Sequence, residues 1–187
     1  IWFVIPPYMK LYCFLFFFIY FFCHSQNQIS NIYSFGSEKT ERLHDVIETS
    51  DNGFIIVGEI GNCENEPTPC NGTSEDHDVD PILFKISSTY ELIWSKTYGQ
   101  DKYDIYSSIV EKDNFFYLTG YSTSYSGDYY DVIVSKVDYD GNEIWTKKFG
   151  GTGCAGAYCG DRGHKIEVFN NQLVIFGDYA SEDSGLT

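Results

Sequence analysis

One heptad occurs twice in the chain: Ile93 to Gly99 reads IWSKTYG, and Ile144 to Gly150 reads IWTKKFG. Trp94 and Trp145 therefore stand 51 residues apart (94 to 145), and the only other tryptophan is Trp2. The flanks recur with the heptad. A strand-like segment reads HDVIETS from His44, SSIVEKD from Ser107 and HKIEVFN from His164. Each follows an acid three residues earlier: Glu41, Asp104 and Asp161. Each then meets a turn signal, at Asp51-Asn52-Gly53, Asp113-Asn114 and Asn170-Asn171. These residue types tolerate the positive φ of tight hairpins. Self-similarity of this kind constrains a fold more than any local propensity, because each copy must adopt the same supersecondary unit.

A second apolar run follows each turn and closes on glycine: FIIVG at Gly58, FYLTG at Gly120 and LVIFG at Gly177. Near-continuous apolar runs suit strands buried on both faces. A third strand reads DPILFKIS from Asp80 and DVIVSKVD from Asp131, and the heptads supply a fourth. No helical periodicity follows residue 26. Tandem four-stranded units are expected to form blades of an all-β propeller, since a lone blade cannot cover both of its faces. The units span about 37–99, 100–150 and 151–187, the last stopping after its second strand. Propellers close with about 4–8 blades, so two and a half units read as a fragment of a ring. Residues 29–35 resemble a lone fourth strand that could complete a closing blade.

The pattern of acid, strand, Asp-Asn-Gly-Phe, apolar run to Gly, Asp-x-x-x-x-Lys and Ile-Trp-x-Lys-x-aromatic-Gly resembles the secreted bacterial β-propeller repeat proteins. These are common in Bacteroidetes-like bacteria and often carry a C-terminal sorting domain. The resemblance covers roughly Ile29 to Thr187 and implies architecture and export rather than an activity. Gly99-Gln100 interrupts the double glycine, and Phe115 replaces the turn glycine.

Export is also the reading of the N-terminal region. Met9-Lys10 precedes an apolar run from Leu11 to Cys23 and then small residues near Ser25, the layout of a secretory signal peptide within residues 1–25. The run is shorter than the ~20 apolar residues that a spanning helix needs. Phe22 before Cys23 is too bulky for a usual lipid-anchor signal. The net charge of −15 comes from 27 acidic against 12 basic residues, which argues against nucleic acid or an anionic membrane as partner. Cys63 with Cys70, and Cys154 with Cys159, are most simply local disulfides of an exported protein, with zinc as the lesser alternative.

The step from Gly58 to Gly120 is 62 residues and that from Gly120 to Gly177 is 57, so the units differ by insertions. One lies between the second and third strands of the first unit, and one lies between the second and third units. Each carries a cysteine pair. In an up-and-down sheet both connections leave from the same end, which makes that rim the expected binding face. The competing reading is that disulfides merely hold long loops still. The loop GYSTSYSGDYYD offers Tyr121, Tyr125, Tyr129 and Tyr130 as candidates for binding a glycan or protein ligand, against plain packing between units. The acids Glu64, Glu66, Glu75, Asp76, Asp78 and Asp80 match no calcium loop, so solvation is favoured over a Ca²⁺ site and no cofactor is expected. His44, Ser107 and His164 share one position and read as structural, as do Trp94 and Trp145. No nucleophile elbow, zincin motif or phosphate loop occurs. The expected function is a non-catalytic binding or scaffold module. The alternative is an extracellular carbohydrate-active enzyme whose paired acids lie on the rim or in further blades.

Overall fold

A computed structural model describes residues 34, 36, 39–61, 79–99, 103–123, 130–150 and 160–179. The chain divides into two compact units, Ile1–Ser34 and Phe35–Thr187, and all the strands described lie in the second. Its described residues are all-β. Ten strands form three antiparallel sheets. Sheet 1 contains β1 (Thr40–Glu48), β2 (Phe54–Gly61), β3 (Val79–Ile86) and β4 (Leu92–Thr97) in chain order. Sheet 2 repeats that order with β5 (Asp104–Lys112), β6 (Phe115–Ser122), β7 (Asp131–Val137) and β8 (Glu143–Phe149). Sheet 3 contains β9 (Arg162–Phe169) and β10 (Gln172–Asp178).

The hairpins follow from their turn residues. Asp113 and Asn114 take φ of 51° and 61°, and Asn170 and Asn171 take 48° and 61°, so both turns have the two positive φ values of a type I′ hairpin. Sheet 1 differs. Its first turn is longer, and the positive φ falls on Asn52 (61°) and not on Gly53. Gly53 is there for room, since a Cβ would lie 2.3 Å from the Ile86 carbonyl oxygen. The extra space admits the Lys85 ammonium, which donates to Thr49 Oγ1 at 3.1 Å and pairs with Asp51 Oδ2 at 2.8 Å. At the same place in sheet 2, Phe115 stands where Gly53 does, and the Lys136 ammonium lies 3.5 Å from its ring centroid. The cation is retained while its partner changes from a carboxylate to a π face.

First strands begin earlier than the apolar pattern indicates, at or beside the recurring acid. The reason is a β-bulge. The register of each first strand slips between Leu43 and Asp45, between Tyr106 and Ser108, and opposite Phe176/Gly177. The residues bulged out are His44, Ser107 and His164. A bulge shifts the alternation of side chains by one, so the pattern before it falls out of phase with the pattern after it. The closing glycines face these bulges. A Cβ at Gly58, Gly120 or Gly177 would stand 2.2, 1.8 or 2.0 Å from the carbonyl oxygen of Arg42, Ile105 or Arg162.

The sheets pack face to face through their first strands. β5 lies against β1, β2 and β3, and β9 against β5, β6 and β7. The core between sheets 1 and 2 contains Ile55, Val57, Leu83, Tyr106, Ile109, Phe116, Leu118, Ile133 and Val137. Trp94 packs against this core, and its Nε1 donates to the Tyr139 carbonyl at 3.0 Å, linking β4 to the next sheet. Trp145 instead lies beside Tyr117 (ring centroids 6.2 Å apart) and under Lys147. β2 and β6 are buried as their apolar runs imply. β10 is not: Phe176 is 58 % exposed, because no described sheet packs behind it.

Side chains just after the bulges converge. Asp45 Oδ2 accepts from Ser108 Oγ (2.8 Å), the Ile109 N–H (3.2 Å) and Lys165 Nζ (3.0 Å), and the Ile166 N–H donates to Ser108 Oγ (3.3 Å). One carboxylate is thus shared by the first strands of all three sheets. Burial raises the Asp45 carboxyl, but the Ser108, Lys165 and Ile109 hydrogen bonds and the lysine charge outweigh it and hold it below the ordinary value.

Candidate functional site

Strand pairing puts the β2–β3, β4–β5, β6–β7 and β8–β9 connections at one end of the sheets. At that end a parallel bridge joins neighbouring sheets at equivalent places, Val79 to Tyr103 and Tyr130 to Gly160. The Asp161 N–H donates to the Tyr130 carbonyl at 2.7 Å, and the Tyr103 and Thr123 backbones are tied by Thr123 N–H to Tyr103 O at 3.0 Å. These bonds fix the strand ends from which the insertions leave.

They also assemble an aromatic cluster. Tyr103 stacks on Tyr121 (centroids 6.2 Å, planes 29° apart) and meets Tyr130 edge-on at 6.0 Å. Tyr121 and Tyr130 make a perpendicular contact at 5.1 Å. The Arg162 guanidinium carbon lies 4.7 Å from the Tyr130 centroid and 5.4 Å from that of Tyr121. Sheet 3 thus lays a cation over two rings of sheet 2. All four residues are half-buried. Burial pushes the Tyr103 hydroxyl well above its usual value, and the Tyr121 and Glu59 charges and its own hydrogen-bond donation to Tyr121 push it further. Burial raises Tyr121 too, opposed by the bond accepted from Tyr103 and by the Arg162 charge. Both phenols are therefore neutral at physiological pH, available as hydroxyl donors and acceptors rather than as acids.

The residues beside the bulges explain the position of Tyr121. Arg42 pairs with Glu59 (3.0 Å), and His44 Nε2 lies 3.1 Å from the same carboxylate. In sheet 3 the equivalent His164 lies 2.8 Å from Asp178, which its hydrogen bond and charge hold below the ordinary carboxyl value. Sheet 2 departs from this Arg-x-His and Gly-acid pattern. It has Ile105, Ser107 and Tyr121 at these places, and Tyr121 takes the acid's place opposite Ile105.

A recess lies between sheets 1 and 2. It holds about 90 Å³ and is lined by Pro81, Gly99, Asp104, Tyr106, Ile133, Glu143 and Thr146. Asp104 is buried and accepts from Ser122 Oγ. The Tyr106 hydroxyl bonds Ser135 Oγ at 2.5 Å, and that oxygen also bonds Thr146 Oγ1 at 2.5 Å.

Of the four tyrosines singled out in the sequence, Tyr121 and Tyr130 come together, while Tyr125 and Tyr129 lie outside the described residues. So do Cys63, Cys70, Cys154 and Cys159, and the acids Glu64, Glu66, Glu75, Asp76 and Asp78. Asp80 is described, at the start of β3. Among the described residues no group of three or more side chains could hold a metal ion, and no helix is long and apolar enough to cross a membrane. Sequence reasoning missed Tyr103 and Arg162. A signal was present: Arg42 and Arg162 each follow the recurring acid, and Tyr103 immediately precedes it. Nothing in the chain alone said that Arg162 would reach the preceding sheet. No protein-family model matches the chain, and no curated protein does.

Proposed function

We propose that the three sheets are blades of a β-propeller-type array, and that its loop-bearing rim binds an extracellular ligand without converting it. The shared Asp45 carboxylate supports the array: first strands of successive blades approach a common axis, as Asp45, Ser108 and Lys165 do. The observation that carries the binding reading is Tyr103, Tyr121 and Tyr130 gathered under Arg162 at the end where both insertions leave. Neutral phenols with one guanidinium suit a ligand that offers hydroxyls and C–H faces, a glycan foremost, or a polar protein loop. The Leu11–Cys23 run and the two close cysteine pairs support export and local disulfides.

A glycan array and pull-down with the wild type, Tyr121→Ala and Arg162→Ala test the site. Binding without turnover, weakened about tenfold or more in both variants, is expected. If every detected ligand binds both variants within about twofold of the wild type, the rim cluster is not the site. Unchanged electrophoretic mobility with and without reductant, together with free thiols, would remove the disulfides from the reading.

One observation favours the second reading, a carbohydrate-active enzyme: Asp104 and Glu143 line a single recess. Glycoside turnover that is lost in Glu143→Gln or Asp104→Asn would favour it over a binding module.

A further inference from the structure

Arginine and acid stand opposite each other on the first two strands of sheets 1 and 3: Arg42 opposite Glu59, and Arg162 opposite Asp178. The two pairs differ. Arg42 Nη1 reaches Glu59 Oε1 at 3.0 Å. Asp178 has one methylene fewer and is taken by His164 at 2.8 Å. It senses the Arg162 charge without pairing with the guanidinium. Arg162 turns instead to sheet 2, which has Ile105 and Tyr121 where its neighbours have arginine and acid. There it lies over the Tyr130 and Tyr121 rings, at 4.7 and 5.4 Å. A ring face attracts a cation but supplies no counter-charge. Among the described residues, then, the Arg162 guanidinium makes no ion pair and no hydrogen bond, in a chain with 27 acidic against 12 basic residues. The hydroxyls beside it add donors. Tyr103 donates to Tyr121, which fills an acceptor position there and leaves the Tyr121 proton to be given. The Tyr130 hydroxyl likewise has no hydrogen bond among the described residues.

We propose that the ligand of this cluster is an acidic glycan, whose sugar carboxylate is bound by Arg162 while Tyr121 and Tyr130 donate beside it. The proposal rests on the rim-binding reading above and narrows its ligand from glycans in general to uronate-type sugars. The chemistry of the donors selects the charge. A guanidinium has N–H groups only and accepts nothing, so a neutral sugar hydroxyl leaves its charge uncompensated. A carboxylate takes two parallel N–H bonds from its planar edge and has lone pairs left for the phenolic protons. The neighbouring acids are already engaged, Glu59 by Arg42 and Asp178 by His164. Exposed charges beyond about 8 Å are largely screened at physiological ionic strength, so the net negative charge of the chain does not decide binding at this point.

The test is the affinity of the full chain for oligomers of galacturonate, glucuronate and mannuronate, each against its methyl ester, which keeps the sugar and removes the charge. The wild type is expected to bind at least one acid about tenfold or more tighter than its ester, and added salt should narrow that gap. Arg162→Gln should erase the preference and bind the ester within about twofold of the wild type. Arg162→Lys keeps the charge and loses the fork, so its preference should fall between the two. Tyr121→Ala should weaken acid and ester alike. Circular dichroism checks that each variant keeps its β structure, and the wild-type comparison of acid with ester needs no variant. Equal binding of acid and ester, or a preference that survives in Arg162→Gln, would overturn the proposal and leave the rim-binding reading standing. So would binding of neutral glycans alone, or of dextran sulfate with every uronate unbound. If no glycan of any charge binds, the glycan reading of the rim fails, and this proposal fails with it.

Discussion

Removing the Asp51 carboxylate leaves the Lys85 ammonium buried without its counter-charge, and the size of that effect follows from the structure. Lys85 is 2 % exposed and Asp51 44 %. Burial pushes the Asp51 carboxyl up, but hydrogen bonds from Lys85, Thr49 and Gly53 and the lysine charge outweigh it and hold the group at about 2. Against the ordinary value of 3.8, that difference is worth about 2.4 kcal/mol unscreened, and solvent at a half-exposed carboxylate reduces it to about 1 kcal/mol. Stranding the ammonium adds more. Breaking one side of a buried pair costs about 3–5 kcal/mol, and Thr49 Oγ1 and the Ile86 carbonyl remain as acceptors, so Asp51→Ala should cost about 3 kcal/mol. Lys85→Met removes the buried charge, fills the same slot and leaves an exposed carboxylate, at a cost under about 1.5 kcal/mol. The double variant should therefore be more stable than Asp51→Ala alone. Urea unfolding of the four proteins measures this. The sign with pH also follows: a depressed carboxyl stabilises above its unfolded value and loses that contribution as it protonates. The gap between wild type and Asp51→Ala should be constant above about pH 5 and shrink as pH falls toward about 2. If Lys85→Met proves less stable than Asp51→Ala, or the gap does not change with pH, Asp51 is not what holds the buried ammonium.

Gly120→Ala should cost about 2 kcal/mol or more, since its Cβ would stand 1.8 Å from a backbone oxygen. Gly36→Ala, where a Cβ meets only the end of the Glu41 side chain, should change thermal stability little. Asp45→Ala should cost about 1–2 kcal/mol, and a double-mutant cycle with Ser108→Ala should be non-additive because the two share one bond. The Tyr103 and Tyr121 phenols should ionise above the ordinary value of 10. Their folded values exceed the unfolded one, so stability should fall as pH rises past about 10, as followed by absorbance and circular dichroism together. Arg162→Met should move the Tyr121 titration upward, because the guanidinium lowers it.

The strand order of each unit was legible because it rests on local chemistry. Alternating or continuous apolar runs, and Asp, Asn and Gly at the turns, act within a hairpin, and β5 to β8 retrace β1 to β4 for that reason. The common position of His44, Ser107 and His164 was legible as well. Its meaning was not, since a bulge exists only relative to the paired strand, and it moved the strand starts back toward the recurring acids. The candidate site divides along the same line. Tyr121 and Tyr130 stand out in the chain by composition. Tyr103 and Arg162 join them only because neighbouring sheets meet through a parallel bridge, which lets an arginine from β9 lie over rings from sheet 2. Among the described residues β10 is exposed, because an apolar run records what a strand can bury and not which described sheet lies against it. By itself, then, the sequence determined the four-strand unit, its turns and its recurrence, each encoded within a few residues of itself. Only the tertiary structure decided the bulges, the carboxylate shared by Asp45, Ser108 and Lys165, and the tyrosine–arginine cluster, because each depends on contacts between residues that the chain holds far apart.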